Sequence, residues 1–238
     1  MLFVFYTSSV YTKCMSTTYA AFIKTLRIEK RISQADLSRQ LDMSRPSYIA
    51  IEQGKRELTL GEFEKLSKIL DVSLAELEAG EIPNYEKYKQ MILAFLRVNE
   101  KITKTKLAKL LYFADFSWFY YNLQSMSGMP YRKIQYGPVA DSYFRIIDEM
   151  FDNGEITITQ TKEGAMLVGE TRSGAKITLN QIDKKEGALI KDISKKWKEK
   201  KTSEIVDFTH KQLPYMFADT NDIVSYNIFT QENPQDIY

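Results

Sequence analysis

Along residues 19–80 the hydrophobic positions carry a recurring local escort. An apolar residue precedes a hydroxyl residue, and a second apolar residue stands four positions after the hydroxyl: Ile32-Ser33 with Leu37, Met43-Ser44 with Tyr48, Leu58-Thr59 with Phe63, Val72-Ser73 with Leu77. This spacing is that of a hydrophobic staple around a helix N-cap. Glu62 and Glu76 complete capping boxes, and Asp36 supplies an acidic variant. The pattern predicts five short helices, at about 19–30, 34–41, 45–53, 60–70 and 74–79. Only Asp42, Met43 and Ser44 separate the second helix from the third, the length of the turn in a helix-turn-helix pair. Gly54 then suits a left-handed C-cap, having no side chain to clash there.

After a linker at 81–84 that contains Pro83, helical periodicity resumes over Tyr85–Val98. Ile102, Thr103 and Leu107 repeat the staple and open a long helix with an apolar stripe of Leu107, Leu110, Leu111, Ala114, Trp118 and Tyr121. Tyr112, Phe113, Phe116, Phe119 and Tyr120 make its other side almost as apolar, so the segment reads as the central helix of a second domain. Asp115, inside it, requires a buried partner and is expected to cap a neighbouring segment. Gly137 permits a turn, with Pro138 as the first position of a helix running to about Asp152. Glu155–Gln160 and Lys176–Leu179 are β-branched and alternating, which predicts a hairpin or three-stranded sheet broken at Gly164, Gly169 and Gly174. A lysine-rich helix follows, with Ile182, Leu189, Ile193 and Trp197 on its buried face. A short helix over Ser203–Thr209 comes last. His210, beside a proline-containing turn, reads as a hydrogen-bonded structural residue.

The fold class is therefore mainly α: a five-helix bundle at 19–80 joined to a second helical domain at 85–238 with a small β element. The length of 238 residues supports two domains. A formal net charge of +2 says little, but its distribution does. Lys24–Arg56 holds eight Lys/Arg against four Asp/Glu, whereas Glu57–Glu81 holds seven acids and two lysines. The basic side of the bundle is the side for DNA. Cys14 is the one cysteine and His210 the one histidine, so neither an internal disulfide nor a Cys/His metal site is expected. No nucleophile motif or phosphate-binding glycine loop occurs, and neither a catalytic role nor a cofactor is expected. Met1–Val10 is too short and too interrupted for a membrane span and lacks the basic start of a signal peptide. Residues 1–18 are expected to be a poorly ordered extension of a cytoplasmic protein.

In a helix-turn-helix the start of the second helix faces base edges. Arg45 can then bond a guanine, Ser44 and Ser47 a phosphate or base, and Pro46 a thymine methyl. Gln34 stands where the first helix offers its positive end to a phosphate, and Lys55 and Arg56 add charge beyond the second. Ser33-Gln34, Leu37, Ser44-Arg45, Ile51-Glu52-Gln53-Gly54 and Leu70-Asp71-Val72-Ser73 together resemble the Cro/C1-type (XRE) family over the whole bundle, with Pro46 and Ala50 as departures. The resemblance implies operator double-stranded DNA as a ligand, read by a homodimer on a palindrome.

KLAKLLYFAD at 106–115, YGPV at 136–139 and SEIVDFTH at 203–210, in this order, resemble the Panacea or SocA-like antitoxin domain. That resemblance implies an antitoxin that binds a cognate protein toxin directly. Tyr112, Phe116, Phe119, Tyr120, Tyr131, Tyr136 and Tyr143 would be anchors of the kind that dominate binding hot spots. A ligand-responsive regulator and a proteolytic adaptor for a toxin are the alternatives.

Overall fold

The computed structural model describes residues 20, 22–28, 30–70 and 83–238. The chain divides into two compact units, Met1–Ile82 and Pro83–Tyr238. The expected extension at 1–18 and the expected fifth helix at 74–79 lie outside the described residues.

In the first unit, α1 covers residues 22–28, α2 Gln34–Gln40, α3 Arg45–Glu52 and α4 Leu60–Leu70. Each of the three later starts follows from its cap. Ser33 Oγ accepts from Asp36 N at 3.1 Å, and Ser44 Oγ accepts from Ser47 N at 3.3 Å. Thr59 and Glu62 form the reciprocal box, Thr59 N donating to Glu62 Oε2 at 2.9 Å and Glu62 N to Thr59 Oγ1 at 3.3 Å. At Ser33 the box closes differently: Asp36, one methylene shorter than Glu, accepts from the Ser33 hydroxyl instead of reaching its backbone. Gly54 takes φ +65° beyond the Gln53 cap. Phe22, Ile23, Leu26, Leu37, Leu41, Tyr48, Ile51, Leu66 and Leu70 form the core.

The second unit contains α5 (Tyr85–Asn99), β1 (Lys101–Thr103), α6 (Lys104–Asn122), β2 (Tyr131–Ile134), β3 (Gly137–Ala140), α7 (Tyr143–Asp152), β4 (Ile156–Gln160) and β5 (Met166–Glu170). Then come α8 (Lys184–Trp197), α9 (Thr202–Lys211), α10 (Leu213–Phe217) and α11 (Tyr226–Phe229). Strands β1, β5 and β4 make one antiparallel sheet in that order, with Val168 opposite both Ile102 and Ile158. Strands β2 and β3 form a separate hairpin. Helix α6 is buried over nearly its whole length, as expected of a central helix. Its last turn emerges, however: Trp118 is only partly covered and Tyr121 is exposed.

Four expectations are corrected. Gly169 lies inside β5, opposite Lys101 and Thr157, and does not break the sheet, and α10 and α11 follow the helix expected to come last. Gly137 and Pro138 open a strand, not a helix; α7 begins five residues after Pro138. Ile134 pairs with Gly137, so Gln135 and Tyr136 are a two-residue hairpin loop, and Pro138 pairs with Lys133. The Pro138 carbonyl accepts from the buried Lys109 Nζ at 2.7 Å, which holds this backbone extended. Lys176–Leu179 is not a strand either: Gly174–Lys176 is a 3₁₀ turn, and the place beside β5 is taken by β1. A Cβ at Gly174 would meet the Glu155 carbonyl at 2.1 Å, so this glycine marks a close backbone approach.

Candidate functional site

The candidate DNA-binding surface of the first unit is built on a buried acid. Glu52, at the end of α3, accepts from Arg27 Nε at 2.6 Å, Tyr48 Oη at 2.7 Å and Gln34 Nε2 at 2.8 Å. Arg27 also donates to the Ile32 carbonyl at 2.9 Å. One carboxylate therefore ties α1, the start of α2 and α3 together. Burial pushes the Glu52 carboxyl up, but the hydrogen bonds from Arg27, Gln34 and Tyr48 outweigh it and hold it below the usual glutamate value. This hub was missed in the sequence, where Glu52 stood only as part of a motif. A glutamate four residues after Tyr48 on the inward face is the signal.

Around that frame, Ser44, Arg45 and Pro46 stand exposed at the start of α3, with Ser47 partly so. Lys55 is exposed as well. Among the described residues no acid pairs with Arg45 or Lys55. Gln34 is half-buried at the start of α2, and its Nε2 donates to Glu52, which fixes α2 against α3. Arg56 is likewise engaged, donating to Glu62 Oε1 at 2.7 Å, and it holds the Glu62 carboxyl below the usual range. Both residues brace the surface from which Arg45 projects.

In the second unit the three sequence motifs meet. Lys109 of α6 reaches Pro138 of β3. A Cβ at Gly137, whose φ is +89°, would lie 2.6 Å from Thr209 Oγ1 of α9 and 2.9 Å from Lys109 Cε. Burial pushes the Lys109 ammonium well down from the ordinary lysine value. His210 follows Thr209, and its ring stacks on Tyr215 at 4.4 Å, while Tyr215 Oη donates to the Ile134 carbonyl at 3.0 Å. His210 is thus held by stacking, and its buried Nε2 has no hydrogen-bond partner, which corrects the expected hydrogen-bonded role. Burial, then the neighbouring Lys109 and Lys133 charges, lower its pKa. Lys109 was not singled out in the sequence, although a cation in an all-round apolar helix is the same signal as Asp115.

Asp115 is fully buried and caps a neighbouring loop. It accepts from Ser127 N and Ser127 Oγ, both at 2.6 Å, and from Tyr131 Oη at 2.7 Å. Most of the expected aromatic anchors are corrected. Tyr112, Phe116, Phe119, Tyr131 and Tyr143 are buried, with Phe116 stacked on Tyr226 at 4.1 Å. They pack the core around α6 and offer no ring to a partner. Tyr120 is half-buried, and Tyr136, at the hairpin tip, is 61% exposed. Nearby in the fold, α10 presents Met216 and Phe217 at 60% and 71% exposure.

No helix among the described residues is long and apolar enough to cross a membrane. Comparison with known families matches residues 23–77 to a helix-turn-helix model and residues 107–214 to the antitoxin SocA-like, Panacea domain. Control protein C.MunI of Mycoplasma sp is 43% identical over 56 residues, 23% of this chain and 76% of that protein. An uncharacterized HTH-type transcriptional regulator, YqaE of Bacillus subtilis (strain 168), is 39% identical over 59 residues, 25% of this chain and 51% of that protein. No solved structure matches the chain. The second unit's motif junction of Lys109, Gly137 and Thr209 falls inside the Panacea match, and the start of α3 falls inside the other. The chain belongs to the helix-turn-helix family through residues 23–77 and carries a SocA-like Panacea antitoxin domain at residues 107–214.

Proposed function

We propose that this protein is an antitoxin that binds and neutralises a cognate toxin through residues 85–238 and represses its own operon through residues 19–80, as a homodimer on operator DNA. The observation that carries the reading is the pairing of the two family domains on one chain. A single helix-turn-helix reads a short half-site, so useful affinity calls for two copies on a palindrome. The exposed Arg45 at the start of α3 is the residue for base contact, with Ser44, Pro46, Ser47 and Lys55 beside it. For the toxin, Tyr136, Met216 and Phe217 are the apolar side chains a partner would cover. Tyr215 ties their two segments together through the Ile134 carbonyl. Neutralisation of this kind needs occupancy only, and no catalytic group.

Co-expression with the product of the adjacent gene tests the reading. The neighbour is expected to arrest growth alone, and both the wild-type chain and its Arg45→Ala variant are expected to restore it. A harmless neighbour, or rescue that Arg45→Ala abolishes, would overturn neutralisation by direct binding and favour a purely transcriptional role.

A further inference from the structure

Helix α8 carries a second charged surface that the antitoxin reading does not use. Lys184, Lys191, Lys195 and Lys198 are all exposed. Their spacings of seven, four and three residues place them within a sector of about 60° on a helix of 3.6 residues per turn, along about 21 Å of axis. Lys198 keeps helical dihedrals as the C-cap, so the stripe does not turn away at its end. Ile190, Ile193 and Trp197 are buried on the other side of the helix. Among the described residues no acid forms an ion pair with any of the four lysines. Of the nearby acids, Glu186 is buried and pairs with Lys87 at 2.5 Å, and Asp192 accepts from Tyr238 Oη at 2.6 Å, while Glu199 stands exposed beside Lys198 at the end of the stripe.

Helix stability explains only half of the stripe: Lys195 and Lys198 stand at the C-terminal end, where the dipole favours a cation, but Lys184 and Lys191 do not. Lys184 stands in the first turn, where the helix dipole disfavours a cation; the Asp183–Glu186 capping box offsets that cost. The cations are lysines throughout, with no arginine fork to grip a carboxylate and no ring to stack on a base. They are point charges in a row.

We infer that this lysine face of α8 binds the phosphate backbone of duplex DNA without reading sequence, adding affinity to the base-reading contact of α3. Charge complementarity selects the occupant: about 21 Å of duplex presents on the order of a dozen phosphates. The inference is independent of toxin binding.

The test uses the full-length chain, with fluorescence anisotropy on a mixed-sequence duplex of about 40 base pairs over a potassium chloride series. Replacing all four lysines by glutamine is expected to weaken binding and to make the slope of log K against log salt shallower by about 2 to 4, at about 0.9 per phosphate contact. Replacing them by arginine is expected to keep the slope, which separates charge from folding. An unchanged slope and affinity in a glutamine variant with a native circular-dichroism melt would overturn the inference. So would loss of binding to polyglutamate alone, the result an acidic protein partner predicts. Arg45→Ala, run in parallel, is expected to remove sequence preference while keeping the lysine-dependent slope.

Discussion

At the scale of single residues, buried charge is the theme. Arg27 and Glu52 have side chains only 10% and 3% exposed, and each is useful only while the other is present. Glu52→Ala would strand the guanidinium and release both Gln34 and Tyr48, at a cost of about 3 kcal/mol by urea denaturation. Because the Glu52 carboxyl lies below its unfolded value of 4.5, its contribution is complete above that pH. It is lost as pH falls through the lower folded value. An acid titration of stability should therefore show a fall below about pH 4.5 that is smaller in Glu52→Ala, the remainder coming from other depressed carboxyls such as Glu62. Asp115 announced itself in the sequence as an acid needing partners, but Ser127 and Tyr131 lie 12 and 16 residues away and their identity came only from folding.

At the scale of elements, the β2–β3 hairpin shows where local signals mislead. Gly-Pro before an apolar run suits a helix start, yet Gly137 and Pro138 form a strand because Lys109, 29 residues away, claims the Pro138 carbonyl. Gly137→Ala is expected to cost more than Gly154→Ala in denaturant midpoint. Both glycines have positive φ, a strain of about 1–3 kcal/mol for alanine. Only at Gly137 would the new Cβ meet Thr209 and Lys109, whereas nothing lies within 4 Å at Gly154. Equal costs would mean that the motif junction relaxes freely. The capped helices of the first unit behave oppositely. Their starts at Ser33, Ser44 and Thr59 were readable because the cap, the box and the staple all lie within five residues of one another.

At the scale of the molecule, the two units permit separate losses of function. Arg45→Ala is expected to cost about 1–3 kcal/mol on cognate DNA with toxin affinity intact. Tyr136→Ala combined with Phe217→Ala is expected to weaken toxin binding by about 2 kcal/mol or more with DNA affinity intact. Anisotropy with operator DNA and calorimetry with purified toxin measure the two sides. Parallel loss of both in either variant would mean a shared surface.

The sequence by itself determined the helix starts of the first unit, the turn between α2 and α3, the central place of α6 and the need of Asp115 for partners. Each of these follows from residues a few positions apart or from a charge that cannot be buried alone. Tertiary structure decided which aromatic rings are core and which are surface, that β1 and not Lys176–Leu179 pairs with β5, and that Gln34 and Arg56 brace the frame. Those outcomes depend on which distant group competes for a ring face, a sheet edge or a hydrogen bond, and periodicity along the chain carries no record of that competition.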